Sequence, residues 1–62
     1  MNRKEIVMSE VYTVVSRTTG NIIRLMELIG STYPFVLFEN GKEIKRFSHI
    51  GDAYRLYNSY AK

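Results

Sequence analysis

The only histidine of this 62-residue chain, His49, stands between Ser48 and a nearby carboxylate, Asp52. An imidazole in this setting could act as a general base, or contact an anion at the start of a helix. A nucleophilic site also needs a positioned nucleophile and an orienting acid, and a metal site needs several ligands. With one histidine and no cysteine, the sequence predicts no catalytic residue, no metal site and no cofactor, and we expect a protein that is not an enzyme. We interpret His49 as a partly exposed residue of a first helical turn.

The basic residues suggest a second kind of function, the binding of nucleic acid. The formal net charge is +3, and a basic sheet face beside Tyr12 or Tyr33 could contact phosphates while a ring stacks on a base. The charges are spread out, however, and ordinary solvation of an exposed face explains them more simply. Nucleic-acid binding is therefore the alternative function, and the residues that would carry it are Arg17, Arg24, Lys42, Lys45 and Arg46.

A C-terminal helix is the clearest element that the sequence predicts. Residues 48–61 place their apolar side chains in one arc at 3.6 residues per turn, Ser48 is a favourable N-cap, and Asp52 adds negative charge near the start. The apolar arc must lie against another element.

Before the helix, the sequence predicts a hairpin and a first strand clearly, whereas one segment between them is ambiguous. Phe35 to Phe47 reads as a hairpin turning at Asn40-Gly41, and residues 9–17 are rich in β-branched and aromatic types. Residues 22–29 fit a strand slightly better than a short helix capped by Asn21. As a strand, joined to the first through a two-residue Gly20-Asn21 turn, they would place Val15 beside Met26 and Arg17 beside Arg24, a like-charge pair that costs a little.

The predicted fold is α+β. A small antiparallel sheet of three or four strands carries the C-terminal amphipathic helix on one face; the alternative, with residues 22–29 helical, is β-α-β-β-α. The whole chain, residues 1–62, is expected to be a single small domain in which residues 1–7 fray or form a short helix begun by Asn2 and Glu5.

Tyrosine is the clearest compositional bias, with five in the chain. Part of the helical arc could project into a dimer or partner interface, where tyrosine is enriched, or all of it could pack within the chain. The two readings are equally supported by the sequence. The candidate interface residues are Tyr54, Leu56, Tyr57 and Tyr60.

These features lead to a function of binding rather than catalysis. A domain this short buries little apolar surface, and the sequence predicts no disulfide or metal site that would add stability. Small domains of this kind commonly gain the missing stability by association. We expect a protein-interaction module of the cytoplasm with no membrane segment, self-associating as a homodimer and able to bind and modulate a host protein. Its short, basic, tyrosine-rich character resembles that of many small bacterial and phage proteins, a likeness of type that assigns no residue roles.

Overall fold

Four antiparallel strands followed by one helix make up the part of the chain described by the computed structural model, residues 8–62. The strands follow one another across the sheet in the order β1-β2-β3-β4, and the helix packs on one face. The predicted α+β fold is thereby confirmed with four strands. The predictions for residues 1–7 lie outside the described residues. The elements are β1 Met8–Val15, β2 Ile22–Leu28, β3 Phe35–Glu39, β4 Lys42–Phe47 and α1 Ile50–Tyr60.

Strand β2 settles the ambiguous segment, and the helical alternative for residues 22–29 is wrong. Ile23 and Leu25 are fully buried, whereas Ile22 and Arg24 are exposed. This period of two is the pattern of a strand with one covered face. Pairing with strands on both sides outweighs the helix propensity of leucine, methionine and glutamate.

The register of the first hairpin differs from the prediction. Val15 opposes Ile22, and Arg24 opposes Thr13, so the like-charge pair of Arg17 with Arg24 does not form. The cause is a longer loop: the N–H of Ser16 donates to the carbonyl of Asn21 at 2.9 Å, which leaves four residues between these two. Gly20, with φ of 78°, closes the loop by donating to the carbonyl of Ser16.

The second hairpin turns at Asn40-Gly41 as predicted. Both residues have positive φ, 52° and 83°, which is the geometry of a type I′ turn. The Asn40 side chain also reaches the end of the first hairpin: its Oδ1 accepts the N–H of Ile22 at 2.8 Å, and its Nδ2 donates to Oδ1 of Asn21 at 3.0 Å. Asn21 in turn donates to the Glu39 carboxylate at 2.9 Å. Side-chain bonds therefore tie the two hairpins together at one end of the sheet.

The helix begins one residue later than the sequence suggested. His49, in extended backbone geometry, is the N-cap and makes no side-chain capping bond, so Ser48 does not cap the helix. At the other end, the carbonyl of Lys62 accepts the hydroxyls of Ser16 at 2.6 Å and Thr18 at 2.9 Å. The loop after β1 thereby holds the end of the chain.

The core lies between α1 and the central strands. Ile23, Leu25, Leu37, Ala53 and Tyr57 form one buried cluster. The helix lies over β2, β3 and β4 and leaves the backbone of β1 uncovered. Among residues 8–62, no helix has the length and apolar character needed to cross a membrane.

Candidate protein-interaction surface

The two edges of the sheet differ in how they are protected. Within residues 8–62, no strand pairs with the outer side of β1 or of β4. Strand β4 carries four charges in six residues and a bulge, both of which discourage pairing with another strand. Strand β1, with the sequence MSEVYTVV, carries one charge, Glu10, and a bulge near its start. Beyond that bulge, residues 12–15 form a regular and uncharged open edge.

Three tyrosines pack together where the helix borders this edge. The ring centroid of Tyr12 lies 5.2 Å from that of Tyr54 and 5.4 Å from that of Tyr57, and the two helical rings are 6.0 Å apart. Tyr57 is only 7% exposed. Burial, followed by the neighbouring Tyr54 and Tyr12, raises its pKa above the ordinary value. Tyr12 and Tyr54 are 45% and 42% exposed, so this cluster has a buried base and an accessible top.

Exposed apolar side chains concentrate around the same edge. Of eight large hydrophobic residues that are exposed within residues 8–62, three lie on β1, one pairs with β1 and one stacks on it. Together these five form what we call the β1 surface: Met8, Tyr12, Val15, Ile22 and Tyr54. Tyr12 and Tyr54 lie on the helix side of the sheet, and the other three lie on the opposite side, which we call the open face. Apolar groups therefore flank the unpaired edge on both sides.

The four predicted interface residues differ in burial and in the flank of the helix on which they lie. Tyr54 is exposed beside β1, and Tyr57 is buried beneath it. Leu56 and Tyr60 are partly buried against the core, on the flank of the helix turned away from β1 by their helical spacing. The candidates are thus divided between two flanks, and Tyr54 is the most accessible of them.

Tyr12 joins this surface although the sequence linked it only to base stacking. Its place depends on the register: Tyr12 opposes the buried Leu25 and so points to the helix side. The predicted register keeps Tyr12 on the same face of β2 but four residues further along that strand, so only the observed register brings it beside Tyr54 and Tyr57.

The five basic candidates are not gathered into one patch. Arg24 lies on the open face with its Nε 3.9 Å from the Glu10 carboxylate, and Arg46 makes two hydrogen bonds to Glu43, at 2.7 and 3.1 Å. The Arg46 bond holds the pKa of the Glu43 carboxyl below its usual value, and Glu43 raises the pKa of Arg46. Two of the five positive charges thus have acidic neighbours.

The other three lie apart. The Lys45 ammonium sits 5.6 Å from the ring centre of Phe47, Lys42 flanks the second turn, and Arg17 follows β1. Tyr12 is on the opposite side of the sheet from Arg24, and Tyr33 is in the connection between β2 and β3. No aromatic platform therefore lies beside a cluster of free cations in residues 8–62.

A shallow groove crosses the open face. It encloses about 480 Å³ and its lining is mainly apolar, with Arg24 as the charged residue. The lining residues are Met8, Ile22, Arg24, Met26, Phe38, Asn40 and Gly41. The groove adjoins the β1 surface through Met8 and Ile22, so it extends that apolar surface inward from the edge.

His49 is exposed at the helix start, beside exposed Ser48 and Asp52. Within residues 8–62, no three histidine, cysteine or carboxylate side chains lie close enough to hold a metal ion. The side chains that could do chemistry are therefore dispersed over the described surface, whereas the apolar ones are concentrated.

No protein-family model, curated protein or solved structure matches this chain significantly.

Proposed function

We propose that this chain is a small, non-enzymatic protein-interaction module that self-associates through the β1 surface. The observation that carries the proposal is the concentration of exposed apolar side chains on both sides of an unpaired, nearly uncharged edge strand. Clustered exposed apolar groups next to an open edge are typical of association surfaces. The opposite edge, with its charges and bulge, lacks this character.

The tyrosines support the same proposal. Tyr12 and Tyr54 present large ring surfaces whose orientation is fixed by contact with the buried Tyr57. Rings held in place lose little conformational freedom when a partner covers them, which favours binding. Of the four predicted interface residues of the helix, Tyr54 contributes to the proposed surface and Tyr57 supports it from beneath, and Tyr12 is added from β1. Leu56 and Tyr60 lie on the other flank of the helix and stay a separate prediction. A host protein bound and modulated through the same surface is the further part of this proposal.

Sedimentation velocity over a concentration series tests the proposal. The expected result is a monomer at low concentration that becomes a dimer as concentration rises. Tyr54→Ala should weaken the dimer about tenfold or more. Tyr33→Ala is the matched control, because Tyr33 is also about half exposed, at 54%, but lies outside the tyrosine cluster. A chain that stays monomeric into the millimolar range would refute self-association.

A further inference from the structure

The outer side of β1 offers backbone groups in a defined pattern. Ser16 directs its N–H and its carbonyl toward the β2 side, to Asn21 and Gly20. In an antiparallel pair the residues alternate between inward and outward bonding. With the register regular from Tyr12 to Val15, Tyr12 and Val14 bond to β2, whereas Thr13 and Val15 point their N–H and carbonyl groups away from the sheet. Both are exposed.

We infer that β1 pairs antiparallel with β1 of a second copy, centred on Thr13, joining two sheets into one of eight strands. This inference rests on the proposed self-association and names its geometry. A twofold axis perpendicular to the sheet at Thr13 pairs the outward N–H and carbonyl of Thr13 with those of the other copy. It also keeps both helices on the same side of the joined sheet.

The side chains of β1 are complementary to themselves in this arrangement. Tyr12 of one copy lies across from Val14 of the other, and both face the helix side, where an aromatic and a β-branched residue pair favourably. The exposed tops of the two tyrosine clusters then lie next to each other across the axis.

The charge near the start of β1 does not oppose this arrangement. Counting outward from Thr13, Glu10 of one copy comes opposite Ser16 of the other in a regular ladder, or opposite Val15 where the bulge at Val11 takes up one residue. No like charges meet, since Glu10 is the only charged residue of β1. A second copy therefore suits this edge in its backbone and apolar groups.

Proline at residue 13 gives the sharpest test. Thr13→Pro removes an N–H that the isolated chain does not use, and proline is tolerated at such positions of edge strands. We expect it to raise the dimer dissociation constant about a hundredfold or more, the effect of losing two symmetric backbone bonds and their register. Thr13→Val keeps the N–H and the side-chain shape, and it should leave the constant within about threefold.

Amide hydrogen exchange on the unmodified chain keeps the test decisive even if the proline variant fails to fold. The Val14 amide should be protected at every concentration, whereas the Thr13 and Val15 amides should gain protection only as the dimer forms. A dimer whose Thr13 and Val15 amides exchange equally fast at low and high concentration would overturn the edge pairing and leave self-association intact. A permanent monomer would overturn both.

Discussion

Ser16 is buried, at 2% exposure, and its hydroxyl joins the loop after β1 to Lys62. It donates to the Lys62 carbonyl at 2.6 Å. It also accepts the N–H groups of Thr19 at 3.2 Å and Thr18 at 3.3 Å. Ser16→Ala therefore removes one strong bond and leaves two loop donors without this acceptor.

The expected loss is large for a chain of this size. A net hydrogen bond contributes about 1 kcal/mol, and the variant loses three, while the exposed residues Thr18 and Thr19 can direct their N–H groups to water. Thr18 still bonds the Lys62 carbonyl, which limits the loss, so we expect about 2 kcal/mol. At about 0.05 to 0.15 kcal/mol per residue, the 62 residues give a total stability of about 3 to 9 kcal/mol. The variant should therefore lose about a fifth or more of its stability.

Urea denaturation followed by circular dichroism measures the loss, at a concentration low enough that association adds nothing to stability. Ser9→Ala is the matched control, because Ser9 is exposed on β1 and should change stability by less than about 0.5 kcal/mol. The amide of Thr19 should also lose exchange protection, whereas that of Thr18 keeps its bond to the Lys62 carbonyl. A Ser16→Ala variant as stable as the Ser9→Ala control would refute the role given to this hydroxyl.

Three further predictions concern the helix start, the buried tyrosine and the second turn. His49→Ser should raise the free energy of unfolding by about 1 kcal/mol, because His49 makes no capping bond and serine can. Ser48→Ala should shift the melting temperature little. A Ser48→Ala variant that is clearly destabilised, with no gain from His49→Ser, would show that Ser48 is the cap. The pKa of Tyr57 is raised in the folded chain, so folding favours the protonated hydroxyl. This contribution to stability is fully present below about pH 10 and is lost as pH rises through the folded pKa. Stability measured against pH should therefore fall less steeply above about pH 10 in Tyr57→Phe than in the unmodified chain, and equal slopes would contradict the prediction. Asn40→Ala should cost about 2 kcal/mol in chemical denaturation, since it strains a residue with φ of 52° and removes two side-chain bonds; Asn40→Gly should cost less, and equal losses would mean that the backbone strain contributes nothing.

Local sequence patterns predicted the elements whose causes are themselves local. The Asn-Gly pair needs positive φ at two adjacent residues, and these two types provide it at little cost. The helical arc is likewise visible from spacing, because Ala53 and Tyr57 recur on one face and are the buried residues of α1.

The register of the first hairpin was beyond such reasoning because distant contacts decide it. Gly20 and Asn21 fit a short turn as well as a longer loop. The longer loop is fixed by the bonds from Asn21 to Glu39 and from Asn40 to Asn21, and by the burial of Ser16 against Lys62. None of these partners is near in sequence, so turn propensity alone could not choose.

The candidate surface depended on that register. Tyr54 was identified from helical spacing, but its partner Tyr12 could be placed only once the position of Tyr12 along β2 was known. The basic residues illustrate the same limit: composition counts Arg24 and Arg46 as free positive charges, and only the sheet shows Glu10 and Glu43 beside them.

The unequal edges of the sheet also determine how far assembly can proceed. A filament grows when every added subunit exposes a fresh edge as receptive as the one it covered. In the proposed dimer, a β1-to-β1 union would consume both receptive edges, and the two margins left would be β4 strands bearing Lys42, Glu43, Lys45 and Arg46. Growth would then stop at two chains, and a sheet-forming protein of 62 residues would not seed fibrils.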